Sequence, residues 1–278
     1  MVDAASDIPP AAPAGSRVTK RGLASRLMVE LRFLLKMGAA MLLLLTTIWG
    51  HYKIPSESMQ PTLEVGDHIY ASKFAYGWSR HSLPLGLHAL PLPDGRLFGR
   101  TPARGDVAVF RNPNNGVVMI KRVVGLPGDR VRMAQGRVIL NGEAVPRDFG
   151  GELLYRAKDT TRTVRRVGEY AEALPGMAAP HAVWEVSDSG PLDDTPAFAV
   201  PQGHVFLMGD NRDRSTDSRV STELPDGTPV ARAADMGPGM VPLDHLIGRA
   251  DRLLFSLGRC NADEGLRCPA PGRALSPL

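Results

Sequence analysis

With 278 residues, the chain has material for one large or two ordinary domains and can bury an ample core. Charged residues make up 22% and the formal net charge is only +4, which excludes a disordered polyelectrolyte and a broadly basic nucleic-acid coat. The basic excess is local. Arg17, Lys20, Arg21, Arg26, Arg32 and Lys36 face only Glu30 directly before an apolar run, the pattern of a cytoplasmic membrane flank.

Residues 1–16 are rich in Ala, Pro and Ser without periodicity, and a disordered cytoplasmic tail is expected up to residue 26. Residues 37–50 are uncharged and centred on the leucines at 42–45. If Lys36 snorkels, Phe33, Leu34 and Leu35 extend the run to about 20 residues by Tyr52, or roughly 30 Å of helix. Trp49 and Tyr52 would sit in an interfacial belt, and no small-x-small cleavage site follows the run. The expectation is an uncleaved single-pass transmembrane helix over residues 27–52, with the N-terminus cytoplasmic and the rest of the chain, 53–278, outside.

Beyond residue 53 the pattern turns to β. Short β-branched or alternating runs occur at 68–71, 106–110, 117–124, 130–133, 137–140, 182–186 and 204–208, punctuated by Gly, Pro and Asn. No amphipathic helix of a dozen residues competes with them. The predicted fold is mainly β: an antiparallel sandwich or distorted barrel after the N-terminal helix. Two stretches interrupt it. Residues 78–103 are rich in Leu, Pro and Gly and cannot form a spanning helix or a central strand, so an apolar membrane-facing loop is expected there. Residues 147–200 are mixed and charged and are expected to form a smaller inserted subdomain.

Three stretches carry chemistry. In Ile54-Pro55-Ser56-Glu57-Ser58-Met59-Gln60-Pro61, two serines sit two apart between prolines that stiffen the backbone. Such a segment can hold one serine as a nucleophile and the other as a hydrogen-bond donor, or it can be a plain linker leaving an anchor. In the run 117–129, read as a strand, Lys121 shares a face with Met119 and Val123. A buried ammonium loses hydration and its pKa falls, and a neutral amine can deprotonate a serine. The alternative is a lysine that packs its stem while its charge reaches water. The third stretch, residues 208–219, is too polar for a strand and reads as a tight loop of paired carboxylates and guanidiniums. As a calcium loop starting at Asn211 it fails, with Thr216 in place of the turn glycine and Thr222 in place of the closing glutamate.

Together these stretches, with Arg104-Gly105-Asp106-Val107, resemble the type I signal peptidases, membrane-bound Ser-Lys endopeptidases. The four boxes occur in the family's order between residues 54 and 219. The resemblance implies Ser58 as nucleophile and Lys121 as general base, with the Ser56 hydroxyl and the Ser58 amide as the oxyanion hole. It implies Ser215 as a hydrogen-bond partner of the lysine amine, Asp217 and Arg219 as a supporting pair, and Asp210 and Arg122 as further support. Ile54, Pro55, Met59 and Ile120 would line the pocket for a small residue before the cut. Glu57 departs from the family, where a small residue is frequent. The implied partners are preprotein signal peptides and the lipid bilayer, not nucleic acid. The implied setting is the bacterial inner membrane, with the protein acting as a monomer near the secretion translocon. Close alternatives are a relative maturing one conjugation or pilus protein, a self-cleaving repressor, and an inactive membrane-tethered β scaffold.

Other chemistries find no motif. No histidine sits in a recognisable triad and there is no Gly-x-Ser-x-Gly elbow. Neither His-Glu-x-x-His nor paired Cys-x-x-Cys occurs, so no cofactor or metal is expected. Cys260 and Cys268 lie in a polar C-terminal stretch, where an oxidising compartment would permit a disulfide.

Overall fold

The computed structural model describes residues 20–83, 86–157, 163–220, 237–257, 265–269 and 273–278. Residues up to 43 and residues 44–278 are separate compact units. Of the tail expected up to residue 26, residues 1–19 lie outside the described residues and 20–26 are helical instead; Cys260 also lies outside, whereas Cys268 is disulfide-bonded.

The first unit holds most of the helix α1 (Lys20–Thr47), whose 28 residues correspond to about 42 Å. Its leucines are exposed, Leu27, Leu34 and Leu43 each by more than 60%. Among the described residues no helix is long and apolar enough to cross a membrane. The helix ends earlier than the run expected through Tyr52. Trp49–Lys53 form a strand, β1, paired residue for residue with β2 (Asp67–Ser72). The local reason is aromatic. Trp49 packs on Tyr70 and the His51 ring stacks on His68, cross-strand contacts that a helix would forfeit.

The second unit is built from antiparallel sheets. After β2 come β3 (Val107–Arg111), β4 (Val118–Gly125), β5 (Arg130–Ala134), β6 (Arg137–Leu140) and β7 (Glu143–Ala144). Next are β8 (Arg147–Arg156), β9 (Val164–Glu172), β10 (His181–Glu185), β11 (Phe198–Ala199) and β12 (His204–Met208), then β13 (Val241–Pro242) and β14 (Leu246–Ser256). The main sheet has the order β1-β2-β14-β3-β4-β12-β13. A four-stranded sheet, β11-β5-β6-β7, and a three-stranded sheet, β10-β9-β8, complete the set. The strands of the three-stranded sheet all fall within the stretch 147–200, and the sheet belongs to the same compact unit as the main sheet.

Burial follows sequence. β3 reads Val-Ala-Val-Phe-Arg and is buried on both faces through Phe110, so a strand without alternation marks the centre of the sheet. One core cluster joins Val107, Val109, Ile69 and Leu253 to Ile54, Met59 and Leu63, and so fastens the β1–β2 loop to the sheet. Among the described residues of 78–103, Trp78 bridges to Leu97 and two short 3-10 turns occur. Leu97 and Phe98 are 69% and 81% exposed, while Leu85 lies outside the described residues.

Candidate active site

The loop between β1 and β2 carries both serines. Its ends are clamped by Ile54 N–H donating to the Asp67 carbonyl and Gly66 N–H donating to the Ile54 carbonyl. Met59 and Leu63, both fully buried, sink the middle of the loop into the core. Side chains anchored on either side of Ser58 leave it little freedom. The loop therefore owes its rigidity to apolar plugs as much as to its prolines.

Lys121 stands in the centre of β4, opposite Ala108 of β3, and is only 3% exposed. Its Nζ donates to Ser58 Oγ at 2.6 Å. With the amine neutral, the same contact runs the other way, hydroxyl to lone pair. Burial lowers the Lys121 pKa to about 8, with Arg219 adding to the shift and the Asp217 and Asp210 charges opposing it. Ser56 Oγ lies 3.3 Å from Ser58 Oγ. The Ser58 N–H has no acceptor among the described residues, so it is free to donate to an incoming oxygen.

The polar loop that follows β12 supports this pair from behind. Asn211 N–H donates to the Ser58 carbonyl at 3.2 Å. A Cβ on Gly209 would collide with that carbonyl and with Ser215 Oγ, so only glycine permits this approach. Asp210 takes two hydrogen bonds from Arg122, at 2.8 and 2.7 Å, and one from Thr62. Asp217 accepts from Arg219 at 2.9 and 3.0 Å and from Gly209 N–H. Burial would raise both carboxyls, but the guanidiniums facing them hold both below the usual carboxylate range. They stay charged at neutral pH.

Ser215 behaves differently from its expected role. Its buried Oγ does not hydrogen-bond the lysine amine; it lies toward Asp217, where it adds to that carboxylate's stabilisation without reaching hydrogen-bond geometry. Ile54, Pro55 and Ile120 line a cavity of about 220 Å³ beside Ser58 and Lys121, together with Tyr52 and Val118. Met59 does not line it, because its side chain is spent on the core. Glu57 is half-buried next to the nucleophile, 3.4 Å from the Tyr155 hydroxyl.

Two contributors lie outside the quoted motifs. Glu172, at the end of β9, accepts from both terminal guanidinium nitrogens of Arg212 and so braces the polar loop against the three-stranded sheet. His181 is 8% exposed beside Glu172 and Asp210, and burial pushes it down to about 4, so it is neutral at physiological pH. Period-two alternation in β9 hints that alternate side chains point inward, but nothing local marks Glu172 as the partner of an arginine 40 residues away. Two clusters among the described residues have side chains that could hold a metal ion: His81, Asp244 and His245, and Glu185, Asp193 and Asp213. Neither includes Ser58 or Lys121.

The family model described as signal peptidase, peptidase S26, matches residues 27–255. Signal peptidase I of Rickettsia typhi is 33% identical over 213 residues, covering 74% of this chain and 71% of that protein. Its counterpart in Rickettsia akari is 33% identical over 223 residues, covering 77% and 74%. Among solved structures, a signal peptidase I from Enterococcus faecalis aligns with 54% of this chain and 97% of its own at 24% identity, with a TM-score of 0.30. A buried amine 2.6 Å from a serine hydroxyl thus sits inside a chain whose likeness to one peptidase group runs over most of its length, and the chain belongs to the signal peptidase family, peptidase S26.

Proposed function

We propose that this protein is a membrane-bound serine endopeptidase that removes signal peptides from exported preproteins by a Ser58–Lys121 dyad. One observation carries the chemistry: among the described residues, the basic group hydrogen-bonded to Ser58 Oγ is an amine 2.6 Å away whose pKa has fallen to about 8. At neutral to mildly alkaline pH a useful fraction of Lys121 is neutral. It accepts the hydroxyl proton as Ser58 Oγ bonds to the carbonyl carbon of the scissile peptide. The oxygen that gains charge is received by the Ser58 N–H and the Ser56 hydroxyl. Lys121 then returns its proton to the departing amine, leaving an acyl-enzyme. Water, deprotonated by the same lysine, hydrolyses that ester and frees Ser58.

Arg122, Asp210, Asp217 and Arg219 act at one remove. Their paired charges let the polar loop pack against the dyad without presenting an uncompensated ion to it. Ser215 fixes the loop through its close packing on Gly209. The apolar cavity formed by Ile54, Pro55 and Ile120 accepts a small side chain before the cut, while Met59 supports its floor from the core.

The setting is the bacterial inner membrane, with α1 as the single anchor, its N-terminus cytoplasmic and the β unit outside, working as a monomer beside the translocon. In favour are the exposed leucines of α1 and its basic flank. The uncharged part of the helix, residues 37–47, spans only about 16 Å, half a hydrocarbon core, so this anchor depends on Lys36 snorkelling. The exposed Leu90, Leu92, Leu97 and Phe98 of the loop after Trp78 add a second apolar contact with the bilayer surface.

Incubation of the purified protein with a preprotein in detergent, followed by sequencing of the product's new N-terminus, tests the reading. One cut after a small residue, absent with Ser58→Ala, is expected. Cleavage that persists in Ser58→Ala, or no cleavage of any preprotein, overturns it.

A further inference from the structure

Away from the dyad, three carboxylates from separate parts of the chain converge. Glu185 ends β10, Asp193 lies in the loop that follows, and Asp213 lies in the 3-10 turn of the polar loop. One oxygen from each lies within 4.8 Å of the others. Glu185 is 2% exposed and Asp193 is fully buried, yet among the described residues no N–H or hydroxyl donates to Glu185 Oε1 or Asp193 Oδ1, which are left to meet each other. A buried carboxylate oxygen without a donor is costly, and two of them facing each other are costlier still.

The surroundings do not neutralise the group. Arg147 donates to Glu185 Oε2 at 2.8 Å and is shared with Asp188. Arg212 and Arg219 lie near, but each is already held by its own carboxylate, Glu172 and Asp217. Of the four carboxylates, counting Asp188, only Glu185 and Asp188 are paired with Arg147. The remaining oxygens are held in place by backbone amides: Gly190 N–H donates to Asp193 Oδ2, and Val186 N–H and Ser187 N–H donate to Asp213 Oδ2. A Cβ on Gly190 would stand 3.0 Å from Asp213 Oδ1 and 3.1 Å from Asp193 Oδ2, so the chain keeps a glycine where the carboxylates close in.

We propose that Glu185, Asp193 and Asp213 bind a divalent cation, Ca²⁺ by its chemistry, which ties the end of β10 to the polar loop behind the Ser58 loop. All-oxygen, carboxylate-rich ligation suits a hard cation, with no nitrogen or sulfur donor to favour zinc. Ca²⁺ tolerates irregular geometry and completes its 6–8 ligands with water, whereas Mg²⁺ demands a near-ideal octahedron. The outer two ligands, Glu185 and Asp213, lie far apart in the sequence, which is why no local motif announces them. The bound ion would stiffen the segment between Arg212 and Ser215, and with it the backbone that contacts Ser58. Binding at this site is independent of whether Ser58 and Lys121 perform the cleavage.

The test uses the full chain in detergent, stripped with EDTA and exchanged into metal-free buffer. Terbium serves as the luminescent stand-in for calcium, with Trp184, the residue before Glu185, as the sensitiser. Expected are saturable luminescence, its displacement by Ca²⁺, and a melting temperature that rises with Ca²⁺. Asp193→Asn and, independently, the more exposed Asp213→Asn should each weaken Ca²⁺ binding at least tenfold and abolish the melting response. Having both keeps the test alive if one variant folds poorly. Absence of saturable binding, or variants that bind as tightly as the parent, overturns the proposal. A melting temperature that follows pH but ignores Ca²⁺ overturns it too, because the carboxylates would then share only a proton.

Discussion

Two buried lysines among the described residues differ instructively. Lys121 in β4 and Lys73, in the 3-10 turn directly after β2, are 3% and 4% exposed, and burial lowers each to about pKa 8. Lys121 meets a serine hydroxyl, whereas Lys73 donates to two backbone carbonyls, of Leu45 and Ser82, at 2.8 and 2.7 Å. Carbonyl oxygens have no proton to give. A lowered pKa prepares an amine to act as a base, but only the neighbour decides whether it has anything to deprotonate. Lys121 therefore faces a group it could deprotonate, and Lys73 is held between carbonyls as a clamp.

The largest expected effect breaks the first half of that comparison. Lys121→Ala or Ser58→Ala should lower kcat/KM by more than about 10⁴-fold, with the double variant little worse, because the two act as a unit. Lys73→Met should leave kcat/KM within a fewfold of the parent. Near-equal losses for the two lysines, measured on one preprotein, would mean that both serve only the fold.

A second comparison sets Lys121 against the buried charges that are paired. Asp217→Asn strands the Arg219 guanidinium in the core and should destabilise the protein by about 3–5 kcal/mol in chemical denaturation. Asp210→Asn should do the same to Arg122. A loss below 1 kcal/mol would show that water reaches these pairs. Smaller again is Ser56→Ala, expected to cost about 10²–10³ in kcat and little in stability if its hydroxyl serves the oxyanion. An unchanged kcat would leave the Ser58 N–H alone in that role.

The two lysines should look alike in stability against pH. Each has a folded-state pKa, about 8, below its ordinary 10.5, so the unfolded chain binds more protons between those values. The cost of burying either is fully present below about pH 8 and is lost as pH rises toward 10.5. Replacing either with Met should flatten the rise in stability over that window by a similar amount. Unequal slopes would show that one amine is solvated.

How much of this was legible beforehand follows the range of the interactions. The fold class could be read from β-branched runs such as Val107-Ala108-Val109-Phe110, because alternation and continuity report burial locally. Ser58 and Lys121 could be singled out because a proline-boxed serine and a lysine among apolar strand neighbours are each locally odd. α1 ends at Thr47 rather than near Tyr52 because hydropathy does not distinguish an apolar helix from an aromatic strand, and only the pairing of Trp49 and His51 with β2 decides between them. Glu172, the true position of Ser215 and the carboxylate cluster were illegible, since each depends on a partner brought near by the fold alone.

The most direct measurement is the pH dependence of kcat/KM for the parent and for Lys73→Met. If Lys121 is the base, the acidic limb of both profiles should rise with an apparent pKa near 8, set by burial beside Ser58. A limb that tracks a group near 10.5, or one that disappears in Lys73→Met, would contradict the assignment of Lys121 as the residue that takes the Ser58 proton.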